Sequence, residues 1–190
     1  VTTAHHQGRA IHALVPEGRP GLEGSRVAAW ELAQAGVPHA VVTDAAAPAC
    51  IAASEVQLVL AGADRVTADG SVVAGVGAYP LALAARAAGI PFLVCTPTTA
   101  IDLSIAEGDD APLEEGRPGA VLRFGGHPVE ASSQRLAVHG RQIPCRTARH
   151  DEIEQITLPE RCVHRPQQPL LQAQELRETE GEPRVVAECA

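Results

Sequence analysis

The sequence predicts an α/β fold with a mainly parallel sheet and helices on both faces. Apolar runs of four or five residues alternate with helical segments, and the connections are short. This alternation is typical of parallel sheets, because each crossover between parallel strands needs a connecting element such as a helix. Apolar residues make up 45% of the chain and aromatic residues 2%, so any core is built from Ala, Val, Leu and Ile. We therefore expect a three-layer Rossmann-like domain, followed by a disordered C-terminal tail.

Four apolar runs are predicted as strands, because each is too short for a typical helix and is flanked by small or turn-forming residues. They are residues 11–15, 39–43, 56–60 and 91–95. Helical segments are predicted between them, over residues 25–35, 45–54 and 79–88.

Five residues mark the predicted helix ends. Ser25 is the predicted N-cap of the first helix, and Gly36 the glycine that ends it. Pro48 and Pro80 lie in the first turns of the next two helices, where the missing N–H breaks no helical hydrogen bond. Gly89 is the predicted C-cap of the third helix.

The character of the chain changes after residue 129. Residues 1–129 are predicted as the folded domain, and residues 130–165 as a loosely defined extension. The Gln, Glu and Pro content of residues 166–190 predicts a disordered tail. The acidic residues between 107 and 115 are interpreted as a solvated surface loop.

Charge and hydropathy exclude several classes of function. A formal net charge of -8 without a basic run gives no electrostatic basis for binding nucleic acid or an anionic membrane. No apolar stretch approaches the roughly 20 residues of a membrane span, and the first residues lack the layout of a signal peptide. We expect a cytoplasmic protein that binds neither nucleic acid nor membranes.

Cysteine and histidine positions favour neither disulfides nor a metal site. The five cysteines are far apart and form no CxxC pair. Cys50 and Cys95 are predicted to be small buried hydrophobic residues. Apart from the adjacent His5 and His6, the histidines lack the spacing of metal ligands, so no metal is expected.

Two aspartates that follow predicted strands are candidates for proton transfer. In open α/β sheets, ligands bind beyond the carboxyl ends of the strands. If the strands before Asp44 and Asp64 are neighbours, the two carboxylates line one crevice. A carboxyl group partly desolvated there can have a raised pKa and act as a general acid or base. The alternative for Asp64 is structural: it caps a helix or pairs with Arg65 or Arg86.

A loop arginine and two glycines are candidates for holding a phosphate. The Arg19 guanidinium can bind a phosphate through a fork of N–H groups, although an exposed surface arginine is the alternative. Gly75 and Gly77 precede the helix near Tyr79, where backbone N–H groups can approach a phosphate. Neither the GxxxxGK[ST] nor the GxGxxG pattern is present.

Several motifs, separated along the chain, resemble one enzyme family. They are Glu17–Pro20 (EGRP), Gly24–Arg26 (GSR), Ala29–Leu32 (AWEL), Gly62–Arg65 (GADR), Gly89–Phe92 (GIPF), Pro97–Ser104 (PTTAIDLS), Pro112–Glu115 (PLEE) and Phe124–Gly126 (FGG). In this order they resemble the S-methyl-5-thioribose-1-phosphate isomerase family, whose superfamily includes the α, β and δ subunits of translation initiation factor 2B. The resemblance covers residues 1–126, and more loosely 150–166.

The resemblance implies an aldose–ketose isomerase of methionine salvage that uses no metal or organic cofactor. Asp64 falls on the family's catalytic aspartate, the proton donor. Arg19 and Gly77 are the candidate residues for binding its substrate. Residues 1–129 correspond to the family's C-terminal, catalytic-type domain. The implied partners are a small sugar phosphate and either a second copy of the chain or an N-terminal companion that carries the family's active-site cysteine.

Three positions depart from the family pattern. Ala74 and Gly75 stand where the family has Asn-Lys, and Glu23 stands where it has a substrate-binding glutamine. Charge-assisted contacts of this kind contribute about 1.5–3 kcal/mol each, so their loss predicts weaker binding of a sugar phosphate. Three hypotheses remain: an isomerase that is incomplete as a lone chain, a non-catalytic relative that binds a sugar phosphate or a partner, and a gene remnant that folds only partly.

Overall fold

The computed structural model describes residues 1–113, 118–128, 155–157 and 184–187. Its helices are α1 (Thr2–His6), α2 (Ala29–Gln34), α3 (Ala47–Ala52), α4 (Ala78–Ala88) and α5 (Pro118–Leu122). A π-helical turn, Gly24–Ala28, leads into α2, and short 3-10 turns lie at Thr98–Ala100 and Gly108–Asp110. The strands are β1 (His12–Pro16), β2 (His39–Val42), β3 (Leu58–Ala61), β4 (Arg65–Thr67), β5 (Val72–Val73), β6 (Phe92–Cys95), β7 (Ile101–Asp102), β8 (Arg123–Phe124), β9 (His127–Pro128), β10 (Gln155–Thr157) and β11 (Arg184–Ala187).

Six of the described strands form one sheet in the order β10-β6-β3-β11-β1-β2. Each pairing within it is parallel. The four predicted apolar runs supply β1, β2, β3 and β6, with boundaries that differ by one or two residues. The α/β class and the parallel sheet are therefore confirmed.

One strand of this sheet comes from the region predicted to be disordered. β11 lies between β1 and β3, and the side chain of Val186 is completely buried there. The prediction of disorder is therefore wrong for these four residues. The composition of residues 166–190 indicates disorder, but the short Val-Val-Ala run within it is apolar and suits a central strand. The rest of that segment, and all of residues 130–165 except β10, lie outside the described residues.

The π-helical turn before α2 begins one residue before Ser25, so the prediction of Ser25 as N-cap is wrong. Glu23 is the N-cap, and the Ser25 hydroxyl donates to the carbonyl of Leu22 at 3.2 Å. Gly24 explains the earlier start. A Cβ at this position would lie 1.8 Å from the carbonyl oxygen of Pro16, so only glycine lets the turn pack directly against the end of β1.

The other predicted helix ends are confirmed. Gly36 follows α2 with φ of 70°. Gly89 ends α4 in the left-handed conformation, with φ of 67°, and its N–H bonds to the carbonyl of Arg86 at 3.2 Å. Pro48 lies in the first turn of α3, and Pro80 is the third residue of α4.

Alternate residues of β1 pack into two apolar clusters on opposite faces of the sheet. Ala13 and Val15 pack with Leu32 of α2 in the smaller cluster. Leu14 belongs to the larger cluster, together with residues from α3, α4, β3, β6 and β11. At β1, therefore, apolar side chains pack on both faces of the sheet.

A small second sheet, in the order β5-β4-β7, leads from β3 towards α4. The turn between β4 and β5 is closed by Asp69. The carboxylate accepts from the Thr67 hydroxyl, and from the N–H and hydroxyl of Ser71 at 3.0 and 2.8 Å. These hydrogen bonds, with that from Thr67 the largest, lower the pKa of Asp69 to about 2.

Three smaller expectations have different outcomes. Cys50 is half-buried against the larger cluster, as predicted, but Cys95 is exposed and its prediction is wrong. Phe92 and Val94 face the cluster, so the alternation of a strand turns Cys95 to the other side. The acidic residues of the 3-10 turn Gly108–Asp110 are exposed, as a solvated loop requires; Glu114 and Glu115 lie outside the described residues.

Within the described part of the chain, no helix is long and apolar enough to cross a membrane.

The central position of β11 can be tested with Val186→Ala. Removing two methyl groups from a completely buried site is expected to lower the free energy of unfolding by about 2–3 kcal/mol, measured by urea denaturation. Val41→Ala is the control, because Val41 lies on the edge strand β2 and is 46% exposed; its loss should be under about 1 kcal/mol. Equal stability of the Val186 variant and the parent would contradict the pairing of β11.

The Asp69 turn predicts a specific dependence of stability on pH. Since the folded pKa of about 2 lies below the unfolded value of about 3.9, Asp69 stabilises the fold above pH 4, and this contribution is lost as the pH falls towards 2. Asp69→Asn should therefore lower stability at pH 7 by less than about 1 kcal/mol, because the side chain is exposed and screened. It should also flatten the decline between pH 4 and 2 in thermal unfolding. A variant with the same acid profile as the parent would contradict this role.

Candidate active site

The loops after β3 and β6 meet at the carboxyl edge of the sheet, because these strands are parallel neighbours. Thr96, which follows β6, is 1% exposed, and its hydroxyl donates to the carbonyl of Ala63 at 3.0 Å. The N–H of Asp64 donates to the carbonyl of Val73 at 2.9 Å. Both polar groups of the peptide bond that precedes the Asp64 side chain are therefore held in place.

The Asp64 side chain itself is exposed. Among the described residues, its carboxylate has no hydrogen-bond or ion-pair partner. The alternative in which Asp64 pairs with Arg65 is not observed, because the Arg65 guanidinium bonds to the Asp102 carboxylate at 2.8 Å. The expected desolvation by Ala and Val neighbours is not observed either. Asp64 is thus an uncommitted carboxylate at the edge of the sheet.

Both carboxylate oxygens of Asp102 accept hydrogen bonds, and Arg65 is one of the donors. Its other carboxylate oxygen accepts from the hydroxyl of Ser104 and from the Ser104 N–H at 3.1 Å. These two hydrogen bonds and then the Arg65 charge lower the pKa of Asp102. Asp102 therefore remains ionised at neutral pH and keeps the neighbouring guanidinium occupied. Asp102 lies in the Pro97–Ser104 motif, so the sequence pointed to this residue. The sequence did not show that Arg65 is its partner.

Asp44 does not line a crevice with Asp64, because the strands before these two residues are not neighbours. It follows the edge strand β2, and β1 and β11 separate β2 from β3. Its carboxylate oxygens accept from the backbone N–H groups of Gly18 and Arg19, at 2.8 and 2.7 Å. An acid or base role for Asp44 is therefore replaced by a structural one, in which it holds the loop after β1.

Arg19 is half-buried, so it is not the exposed surface arginine of the alternative interpretation. One Nη donates to the carbonyl of Val121 at 3.3 Å, and the guanidinium carbon lies 5.7 Å from the centre of the Phe124 ring. Carbonyl and ring fix the direction of the side chain through a hydrogen bond and a cation–π contact. A guanidinium has five N–H donors, so donors remain for a ligand.

Gly77 is the N-cap of α4, and its carbonyl accepts from the N–H of Leu81 at 3.3 Å. The N–H groups of the first helical turn have no partner within a helix and favour anions. Gly75 precedes this turn, and a Cβ built there meets no atom within 4 Å. Ala74 is buried, whereas Glu23 is exposed near Gly18 and Gly21.

The parallel sheet brings these groups to one edge, but in two sets. Asp64 and Thr96 lie beyond the adjacent strands β3 and β6, and Gly77 follows from β5. Arg19 and Asp44 lie beyond β1 and β2. The axes of β1 and β3 are about 10 Å apart, because one strand separates them. The edge thus offers a carboxylate on one side and a guanidinium on the other. Among the residues that the structure describes, no His, Cys, Asp and Glu side chains gather in a group of three that could hold a metal ion.

Comparison with known proteins links this arrangement to one group of sequences. The Initiation factor 2 subunit family model matches residues 1–155. A methylthioribose-1-phosphate isomerase from Chloroflexus aurantiacus is 42% identical over 137 residues, which are 72% of this chain and 40% of the relative. The crystal structure of 5-methylthioribose 1-phosphate isomerase from Pyrococcus horikoshii matches with a TM-score of 0.71 and 31% identity, over 80% of this chain and 41% of that one.

A translation factor is also similar. The crystal structure of the translation initiation factor eIF-2B subunit delta from A. fulgidus matches with a TM-score of 0.68 and 27% identity, over 74% of this chain and 40% of that one. The chain therefore spans about 40% of the length of the relatives that it matches.

Proposed function

The chain belongs to the Initiation factor 2 subunit family, and on this premise we propose that it is a methylthioribose-1-phosphate isomerase-like protein of methionine salvage. The observation that carries the proposal is the 42% identity to such an isomerase, together with the uncommitted Asp64 at the carboxyl end of β3. We further infer that residues 1–129, with β10 and β11 completing their sheet, form a three-layer Rossmann-like domain.

The proposed reaction interconverts the aldose and ketose forms of a sugar 1-phosphate. One hydrogen moves between C2 and C1 while the carbonyl character moves the other way, so the substrate is neither oxidised nor reduced overall. Such a step needs a positioned acid or base rather than a redox cofactor. Asp64 is the proposed proton donor: its backbone is held by Val73 and Thr96, and Arg65 is kept occupied by Asp102.

The proposed phosphate and sugar contacts are Arg19 and Gly77. A guanidinium binds phosphate through two N–H groups in fixed geometry, and a helix N-terminus favours an anion. Arg19 lies at the same edge of the sheet as Asp64, and Gly77 is the N-cap of α4, the helix of the crossover from β3 to β6. The proposed partners are this small sugar phosphate and either a second copy of the chain or an N-terminal companion. Nucleic acid and membranes are not among the proposed partners, because the net charge is -8. The proposed location is the cytoplasm.

The alternative is a non-catalytic relative of the initiation factor 2B subunits that binds a sugar phosphate or a protein partner. Two observations favour it. Ala74 and Gly75 supply neither the amide nor the ammonium of the isomerase pattern, and Asp64 is exposed rather than desolvated. The similarity to the A. fulgidus delta subunit fits this alternative as well as the first.

The two functions differ in turnover. We expect the lone chain, mixed with methylthioribose 1-phosphate, to form little ketose, because the Asn-Lys contacts are missing. Asp64→Asn should lower any measured turnover by about 10²–10⁴-fold and change the Kd by less than about threefold, since an acid acts mainly in the transition state. Asp110→Asn, at an exposed carboxylate with the same charge change, is the control. Turnover that survives Asp64→Asn would contradict the role of Asp64; binding without turnover supports the alternative.

Gly75→Lys tests whether the phosphate lies near α4. The space around Gly75 is open, so the lysine side chain fits without a clash, and a charge-assisted contact of about 1.5–3 kcal/mol should tighten binding of methylthioribose 1-phosphate at least tenfold in calorimetry. Ala87→Lys adds the same charge to an exposed position near the other end of α4 and should leave the affinity nearly unchanged. Equal effects of the two variants would indicate general attraction and contradict this position for the phosphate.

A further inference from the structure

We propose that Asp44 is the positioning residue of the sugar-phosphate site. Its carboxylate occupies the backbone N–H groups of the loop after β1 that could bind an anion, so that the phosphate is bound by the side chain of Arg19 and not by these N–H groups. This inference rests on the sugar-phosphate binding proposed above. It assigns Asp44 a part in ligand recognition without any contact to the ligand.

The first support is the geometry of the loop. Two consecutive N–H groups, those of Gly18 and Arg19, point at one carboxylate at 2.8 and 2.7 Å. Gly18 has φ of 76°, and successive N–H groups around a left-handed residue form a concavity that suits an anion. Here the protein's own carboxylate occupies that concavity. A phosphate would have to displace two charge-assisted hydrogen bonds to reach these amides.

The second support is that the rest of the loop is also held. The Glu17 N–H donates to the carbonyl of Val42 at 2.8 Å, and the Ser25 N–H to the carbonyl of Glu17 at 3.2 Å. The Leu22 N–H donates to the carbonyl of Gly18 at 2.6 Å. Both ends of the loop are thus bound to neighbouring elements. The backbone at Gly18 and Arg19 would otherwise be free to move, and the hydrogen bonds to Asp44 fix it. The direction in which the Arg19 side chain leaves the backbone is therefore set by Asp44.

The third support is the state of the Arg19 side chain. It extends from this backbone to the carbonyl of Val121 and the ring of Phe124. Of its five N–H donors, the described residues engage one, so an edge of the guanidinium is available to a phosphate. Loss of the Asp44 hydrogen bonds would release the backbone at Arg19 and with it the contact to Phe124.

A double-mutant cycle tests the proposal, with methylthioribose 1-phosphate as the probe and calorimetric Kd as the readout. Asp44→Asn replaces an acceptor by an N–H donor facing the loop amides. It is expected to weaken binding about tenfold when Arg19 is present, and less than twofold in an Arg19→Ala background, because coupled residues are not additive. Thr43→Ala, at the exposed neighbour of Asp44, should bind as the parent does. Equal losses in both backgrounds, or no loss in either, would overturn the positioning role.

A ligand-free measurement separates this inference from the proposed function. The Phe124 ring should shift the NMR resonances of the Arg19 side chain, and this shift should disappear in both Phe124→Leu and Asp44→Asn. If the parent binds no sugar phosphate but the shift depends on Asp44, the positioning role stands and the proposed ligand is wrong. If the shift persists in Asp44→Asn, the positioning role is wrong whatever the chain binds. Should Asp44→Asn fail to fold, Asp44→Glu, which keeps the charge but displaces the loop, is expected to reduce the shift and weaken binding in the same direction.

Discussion

The parallel alignment of the six strands is the constraint on which the rest of this structure depends. Because each strand of the main sheet runs in the same direction, the loops that follow β1, β2, β3 and β6 all emerge at one edge. That edge receives Arg19, Asp44, Asp64 and Thr96, although they are up to 77 positions apart in the sequence. The same alignment requires helical crossovers, and these bury the Ala-, Val- and Leu-rich faces that hold the sheet together.

Of two aspartates at this edge, one carboxylate is hydrogen-bonded to the backbone and the other is not, because their neighbours differ. Asp44 follows the edge strand, where two backbone N–H groups of the adjacent loop bind it. Asp64 follows an inner strand, and the arginine beside it in the sequence is bound to Asp102 instead. One carboxylate is therefore consumed in holding a loop, and the other stays available at the surface. Chemical type and position after a strand are alike in the two cases, so only the partner decides what each one does.

Sequence reasoning was most successful where the signal is local. Gly36 and Gly89 were correctly placed at helix ends, because a left-handed residue after a helix strongly favours glycine. The Asp69 turn is equally local, since its partners lie within two residues. The prediction of Ser25 as N-cap was wrong because a contact between Gly24 and the end of β1 sets the start of the helix. The predicted burial of Cys95 was wrong because the sequence does not show which side of β6 faces the larger apolar cluster.

The sequence by itself determined the alternation of strands and helices, the glycine and turn signals, and the family motifs, because each depends on residues close together in the chain. Only the tertiary structure decided which strands are neighbours, that Val186 lies at the centre of the sheet, and which donor each carboxylate accepts from. Those features are contacts between residues that are distant in sequence. The physical reason is that a strand or a carboxylate can satisfy its hydrogen bonds with many alternative partners of the same type, and packing of the whole domain selects among them.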